Sequence, residues 1–279
     1  MSTFTATALA LVVAASAGAD TVTIELSALK DATLIQDSQE LANGSGDGIY
    51  SGRVGPTGGG TRRRGLLAFD VAGAIPSGST ILSATLVLQL VATNSNTHVV
   101  SLHRVTAAWS EGPTAPPGGE GFPAAPGDVT WTKRQFPDLA WSTAGGSFVS
   151  TASAVTPVGQ TESYAWTSMA MANDVQAWLD APESNHGWLL RGNESLTKTA
   201  KKFASREAIS TDYRPRLVLT YEPPQDPCAA ADLDCDGIVG SADLGILLGA
   251  WGTAGPGDLD DDGVVGADDL SVLLGAWSA

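Results

Sequence analysis

Residues 232–251 read DLDCDGIVGSADLGILLGAW, and residues 258–277 read DLDDDGVVGADDLSVLLGAW. The second stretch copies the first at a constant offset of 26 residues, with Asp232/Asp258, Gly237/Gly263, Asp243/Asp269, Leu247/Leu273 and Trp251/Trp277 in register. Each copy places carboxylates at positions 1, 3, 5 and 12, glycine at 6 and an apolar residue at 8. That is the ligand schedule of an EF-hand-type calcium loop. A hard cation takes six to eight oxygens, alternate positions of a tight loop point inward, and glycine supplies the sharp turn. The expected ligands are Asp232, Asp234, Asp236, the carbonyl of Ile238 and Asp243. Their counterparts are Asp258, Asp260, Asp262, the carbonyl of Val264 and Asp269, so two Ca²⁺ ions are implied. A water would complete each shell at Gly240 and Gly266.

Behind the loops, Leu244, Leu247, Leu248 and Trp251 fall at i, i+3, i+4 and i+7, as do Leu270, Leu273, Leu274 and Trp277. This predicts one apolar helix face per copy. Each unit is too short to bury that face alone, so the two faces are expected to pack together. The stretches ahead of the loops, PPQDPCAAA and TAGPG, discourage a preceding helix through Pro and Gly. Cys228 and Cys235 are the only cysteines; they flank the start of the first loop, where a local disulfide could pin it in an exported protein.

Two loop–helix units of this kind, with Asp followed by Leu at positions 12 and 13, resemble a type I dockerin module over about residues 226–279. The resemblance implies a calcium-folded adaptor that docks an extracellular protein onto a cohesin-like or other cell-surface partner. Many dockerins carry Ser-Thr at loop positions 10 and 11; this chain has Ser241-Ala242 and Ala267-Asp268, so the likeness does not identify the partner.

Charge is distributed to match. Of the 30 acidic residues, eleven lie from Asp226 onward with no Lys or Arg, leaving nineteen acids against fifteen bases before it. Acidity therefore belongs to the calcium loops, and the absence of a dominant basic face argues against a nucleic-acid partner. The first nineteen residues, ending in Ala17-Gly18-Ala19, read as a cleaved signal peptide and imply secretion, although Lys and Arg are missing from its start. It is too short to span a bilayer, and no later segment is apolar enough to do so.

The expected division is a signal peptide at 1–19, a β domain at 20–222, a linker at 223–231 and the calcium module at 232–279. Within the β domain, candidate strands are Val22–Leu26, Ala32–Gln36, Gly65–Val71, Ile81–Ala92, His98–Val105, Val129–Lys133, Ser163–Met169, Trp188–Arg191, Lys202–Arg206 and Arg216–Tyr221. Alternation at Ala84, Leu86, Leu88 and Leu90 marks a central strand. Met171–Asp180 is the one helical candidate. Many strands and little helix argue for a mainly β fold, a β-sandwich of jelly-roll type. Long loops are expected at Asn43–Arg64 and Glu111–Asp128, where binding surfaces usually sit.

Phrases including ATLIQD (32–37), RGLLAFD (64–70), IPSGSTILSATL (75–86), DVQAWL (174–179), NHGWLL (185–190) and RPRLVLTY (214–221) occur in the order seen in DNRLRE-domain proteins. That family resembles jelly-roll carbohydrate-binding modules, and some members are reported to bind acidic polysaccharide. Candidate ligand contacts are Arg62, Arg63 and Arg64, whose guanidinium groups suit sugar carboxylates or sulfates, and Lys201 and Arg206, which could extend the cationic surface. Trp141, in the loop-like PDLAWSTAGG, is the best candidate for an exposed sugar-stacking platform. The bland readings are solvated arginines, Arg64 paired with Asp70 or Glu207, and strand-edge lysines. No zinc-protease helix motif or nucleophile-elbow signature appears, although a carboxylate pair could hide among Asp70, Glu111, Glu162 and Glu207. The expectation is a secreted, non-catalytic, calcium-dependent polysaccharide-binding protein. The alternatives are a structural or surface-display protein, and a hydrolase or lyase acting on acidic polysaccharide.

Overall fold

The computed structural model describes residues 21–224, 228 and 230–278. The signal peptide expected at 1–19 and part of the expected linker lie outside the described residues. The chain divides into two compact units, the first ending at Pro224 and the second beginning at Gln225. Among the described residues, no helix is long and apolar enough to cross a membrane.

The first unit is mainly β. Its strands begin with β1 (Val22–Ser27), β2 (Lys30–Ile35), β3 (Leu41–Ala42), β4 (Gly48–Arg53), β5 (Arg62–Ala68), β6 (Thr80–Thr93) and β7 (His98–Arg104). Short pieces follow: β8 (Phe122–Pro123), β9 (Lys133–Gln135) and β10 (Leu139–Ala140). Then come β11 (Ala154–Val158), β12 (Ser163–Thr167), helix α1 (Met169–Asp180), β13 (Trp188–Arg191), β14 (Lys201–Ala204) and β15 (Arg216–Glu222). Eleven strands form one antiparallel sheet in the order β1-β15-β6-β14-β4-β5-β13-β7-β11, with β12 beside β6 and β2 beside β5. The sheet curls, so that Leu86, Leu88, Trp166 and Leu219 from one half share a core with Leu67, Leu102, Trp188 and Leu190 from the other.

β5 and β13 each carry apolar residues in succession, Leu66-Leu67-Ala68 and Trp188-Leu189-Leu190, because both of their faces are covered there. Leu67, Trp188 and Leu190 face the main core, while Leu66, Ala68 and Leu189 face a second cluster with Trp109, Trp131 and Trp141. The irregular segment between β7 and β11 is thus a lid over the sheet's outer face. Helix α1 starts where the Ser168 hydroxyl accepts from Met171 N–H at 3.0 Å, which also ends β12 before Met169. It stops at Asp180, with Pro182 ahead. Its Val175, Trp178 and Leu179 are buried, and the Trp178 and Trp188 rings lie 4.5 Å apart.

Several expected boundaries change. The stretch 43–64 is not one loop, because β4 runs through it and pairs with β14 and β5. Residues 129–133 form no strand; only β9 begins at Lys133. β11, broken in pattern by Pro157, went unanticipated.

The second unit contains two nine-residue helices, α2 (Ser241–Gly249) and α3 (Ala267–Gly275). Ala231, Val239, Leu247, Val265 and Leu273 form its core, with Leu244 and Leu270 packed against it. The expected four-residue faces are only half buried, since Leu248, Trp251, Leu274 and Trp277 are exposed. Helices this short end before the tryptophans and offer little more than one buried turn each. The loops are also tied crosswise. Val265 N–H donates to Thr253 O, and Gly252 N–H donates to Val265 O. One repeat offset away, Ser278 N–H donates to Val239 O.

Candidate functional site

In the first acidic loop, Asp232, Asp234 and Asp236 each present a carboxylate oxygen, and these atoms lie within 4.8 Å of one another; Asp258, Asp260 and Asp262 do the same. Backbone geometry gathers them. Gly237 and Gly263 take φ of 85° and 92°, a left-handed turn that a side chain would strain. Asp232 accepts from Asp236 N–H at 3.2 Å and Gly237 N–H at 2.9 Å. Asp258 accepts from Asp262 N–H at 3.1 Å and Gly263 N–H at 2.9 Å.

Asp243 and Asp269 are buried outside these close triads. Asp243 accepts from Leu233 N–H at 2.7 Å, Asp234 N–H at 3.1 Å and Gly240 N–H at 2.7 Å. Asp269 makes the same bonds to Leu259, Asp260 and Gly266. Position 12 therefore fastens the loop's entry to the helix start. The Gly240 N–H, outweighing desolvation, holds the Asp243 carboxyl below the usual carboxylate range, and Gly266 does so for Asp269. Desolvation and the surrounding carboxylates instead raise Asp234. Three converging oxygens without a neighbouring cationic side chain are a donor set that fits a hard divalent cation, whose charge would relieve their repulsion. Ile238 and Val264 keep exposed side chains, leaving only their carbonyls for the role expected of them. Cys228 and Cys235 are joined in a disulfide.

The expected ligand contacts of the first unit scatter. Trp141 is buried, 6% exposed, and donates its indole N–H to Thr130 O at 3.0 Å; it belongs to the lid and offers no platform. All six tryptophans of this unit are buried. Arg64 pairs with neither Asp70 nor Glu207. It grips Glu194 through Nε–Oε1 at 2.7 Å and Nη2–Oε2 at 2.9 Å, donates to Gly145 O, and lies 4.8 Å from the Trp131 ring centroid. Burial would raise Glu194, but the Arg64 bonds and the charges of Arg64, Arg191 and Arg62 hold it below its ordinary value. Lys201 is fully buried on an interior strand, its ammonium donating to Thr93 Oγ1 and to the carbonyls of Asn96, Gly159 and Ser95. Arg206 binds both oxygens of Glu111 and approaches Glu207 at 3.0 Å. Of the four carboxylates singled out, only Glu111 and Glu207 share this partner; Asp70 accepts from Gly73 N–H and Glu162 from the Tyr164 hydroxyl.

A groove of about 940 Å³ collects other residues, among them Tyr50, Arg63, Glu120, Thr161, Lys198 and Lys202. Arg63 is nearly buried, anchored through Nε to Gly119 O at 2.8 Å and through Nη1 to Thr61 Oγ1 at 2.7 Å. Lys202 lies 5.8 Å from the Tyr50 ring and binds Asp47 at 2.9 Å. Arg62 remains partly exposed, 3.8 Å from Glu194. Four cationic residues line it, Arg63, Lys198, Lys202 and the buried Lys201, against the single acid Glu120; with an aromatic wall they suit an anionic, hydroxylated ligand. Lys198 and Lys202 belong to the same basic stretch of sequence as Lys201 and Arg206, whereas sequence reasoning missed Tyr50, for which spacing carries no signal. No family model matches the chain, and no curated protein matches it.

Proposed function

We propose that the protein is an extracellular, calcium-dependent binding and docking protein. The second unit acts as a dockerin-like adaptor, and the first as a jelly-roll, DNRLRE-like module that holds an acidic polysaccharide. The observation that carries this reading is the duplicated triad of aspartate oxygens. Asp232, Asp234 and Asp236 would hold one Ca²⁺, and Asp258, Asp260 and Asp262 the other. The paired exposure of Leu248 with Trp251, and of Leu274 with Trp277, supports a protein-docking face on the same unit. The groove of Arg63, Lys198, Lys202 and Tyr50 is the favoured polysaccharide site.

Burial of all six tryptophans in the first unit favours a second reading, a structural or surface-display protein with protein contacts only. Two measurements on the full chain separate these. Calorimetry with Ca²⁺ should give a stoichiometry of two, and silence at millimolar ion would remove the adaptor reading. Affinity electrophoresis should show retention by an acidic polysaccharide such as alginate or pectin. No retention by any polysaccharide, with calcium binding intact, would favour the structural alternative.

A further inference from the structure

We propose that Ser101 and His103 form a nucleophile–base pair that hydrolyses small carboxylic esters on the outer face of β7 and β13. The two residues stand two apart on β7 and so share a face. Ser101 lines an open depression of about 510 Å³ with Thr97, His98, Arg191, Asn193, Glu194 and Ser195. Its Oγ lies 2.9 Å from His103 Nε2, and His103 Nδ1 lies 3.0 Å from the Val149 carbonyl oxygen. A carbonyl only accepts, so Nδ1 must carry the hydrogen, and a neutral ring then turns the Nε2 lone pair toward the serine hydroxyl. That tautomer is the one a general base needs, with the Val149 carbonyl as the orienting third group. The ring is 4% exposed and meets Phe148 edge-on at 5.2 Å, which fixes its plane. Ser101 Oγ is also 3.2 Å from Arg191 O; with one hydroxyl proton and a shorter contact to Nε2, the imidazole is the better acceptor.

Burial outweighs the backbone hydrogen bonds of Val149 and Thr151, and the charges of Arg191 and Arg64 act with burial to hold the imidazole below its ordinary pKa. It is therefore neutral and basic at pH 7. Arg191 stands opposite Ser101 in the β13–β7 register and lines the same depression; its Nε lies 3.4 Å from Glu194 Oε2, and its remaining N–H groups are the donors proposed for the oxyanion.

In the reaction, Ser101 Oγ bonds to the ester carbonyl carbon as its proton passes to His103 Nε2, and the carbonyl π pair moves onto oxygen beside Arg191. Collapse breaks the carbon–oxygen bond to the alcohol, which leaves with the proton from Nε2. Water then attacks the acyl-serine through the same base, releasing the carboxylic acid and restoring Ser101. The polar rim suits a short acyl group, such as acetyl, on a hydroxylated carrier. This activity does not depend on the calcium or polysaccharide readings.

Two probes test it on the full chain. A fluorophosphonate should add covalently at Ser101, located by peptide mass mapping, and p-nitrophenyl acetate should be hydrolysed. Ser101→Ala, at a partly exposed position, should lower that rate at least about a hundredfold with an unchanged melting curve. His103→Gln should do the same if it folds; the wild-type labelling decides the matter if it does not. No adduct at Ser101, or wild-type hydrolysis by Ser101→Ala, would overturn the proposal.

Discussion

The two units of this chain solve the problem of charge in opposite ways. The first buries its ions against partners: Arg64 closes on Glu194, Arg206 on Glu111, and Lys201 on carbonyls. Its core holds Trp166, Trp178, Trp188, Phe69 and Phe203 at 1% exposure or less. The second has, among its described residues, five buried apolar residues, none aromatic, and gathers three carboxylates per loop with no Lys or Arg in the whole unit. Burial can hold the first together on its own. On the proposed calcium reading, the second depends on an ion that neutralises its loops, so that reading is a claim about stability as much as about spacing.

The largest expected effect attacks that contrast directly. Chelation, or Asp232→Ala with Asp258→Ala, should abolish the folded signal and protease resistance of the second unit while the first melts as before. If both units are unaffected, the asymmetry between them is wrong. Trp188→Ala should do the reverse, costing the first unit about 3–5 kcal/mol through the cavity left beside Trp178 and Phe69, with calcium heats unchanged by calorimetry.

Glu194→Gln comes next. It leaves Arg64 buried against a neutral amide and should cost about 3 kcal/mol at neutral pH in chemical denaturation. The same residue predicts a pH response. Because its folded pKa lies below the unfolded value, its contribution is fully present above the ordinary glutamate pKa and is lost as pH falls through the folded one. Stability curves of wild type and Glu194→Gln should converge in acid, and parallel curves would contradict the assignment. The smallest effect concerns the groove. Lys198→Ala with Lys202→Ala should shift stability by less than about 1 kcal/mol and weaken alginate retention roughly tenfold; unchanged retention would move the site elsewhere.

The two regions also differ in what could be read without coordinates. Each acidic loop keeps its carboxylates within twelve residues, so spacing alone displayed the triads. The mainly β character of the first unit was equally open, because alternation at Ala84 to Leu90 is a local signal. Its side-chain partnerships were not: Arg64 finds Glu194 across 130 residues, and the groove draws on β4, β5, β14 and the segment around Gly119. Trp141 misled for a physical reason. Gly, Ser and Pro around it report irregular backbone, and irregular backbone can still cover the outer face of a sheet. Lys201 misled because an interior strand can shelter an ammonium where carbonyls converge. In the second unit the helical period was legible, but not that half of each apolar face stays in solvent.

The crosswise ties of Val239 to Ser278 and of Val265 to Gly252 and Thr253 make each loop's conformation depend on the segment that leaves the other helix. If the loops take cations as proposed, filling either one stiffens the strap that holds its twin, and the second ion meets a site whose ordering entropy has already been spent. Cation uptake should accordingly be concerted, with the attachment surface switching between absent and complete over a narrow span of ion activity.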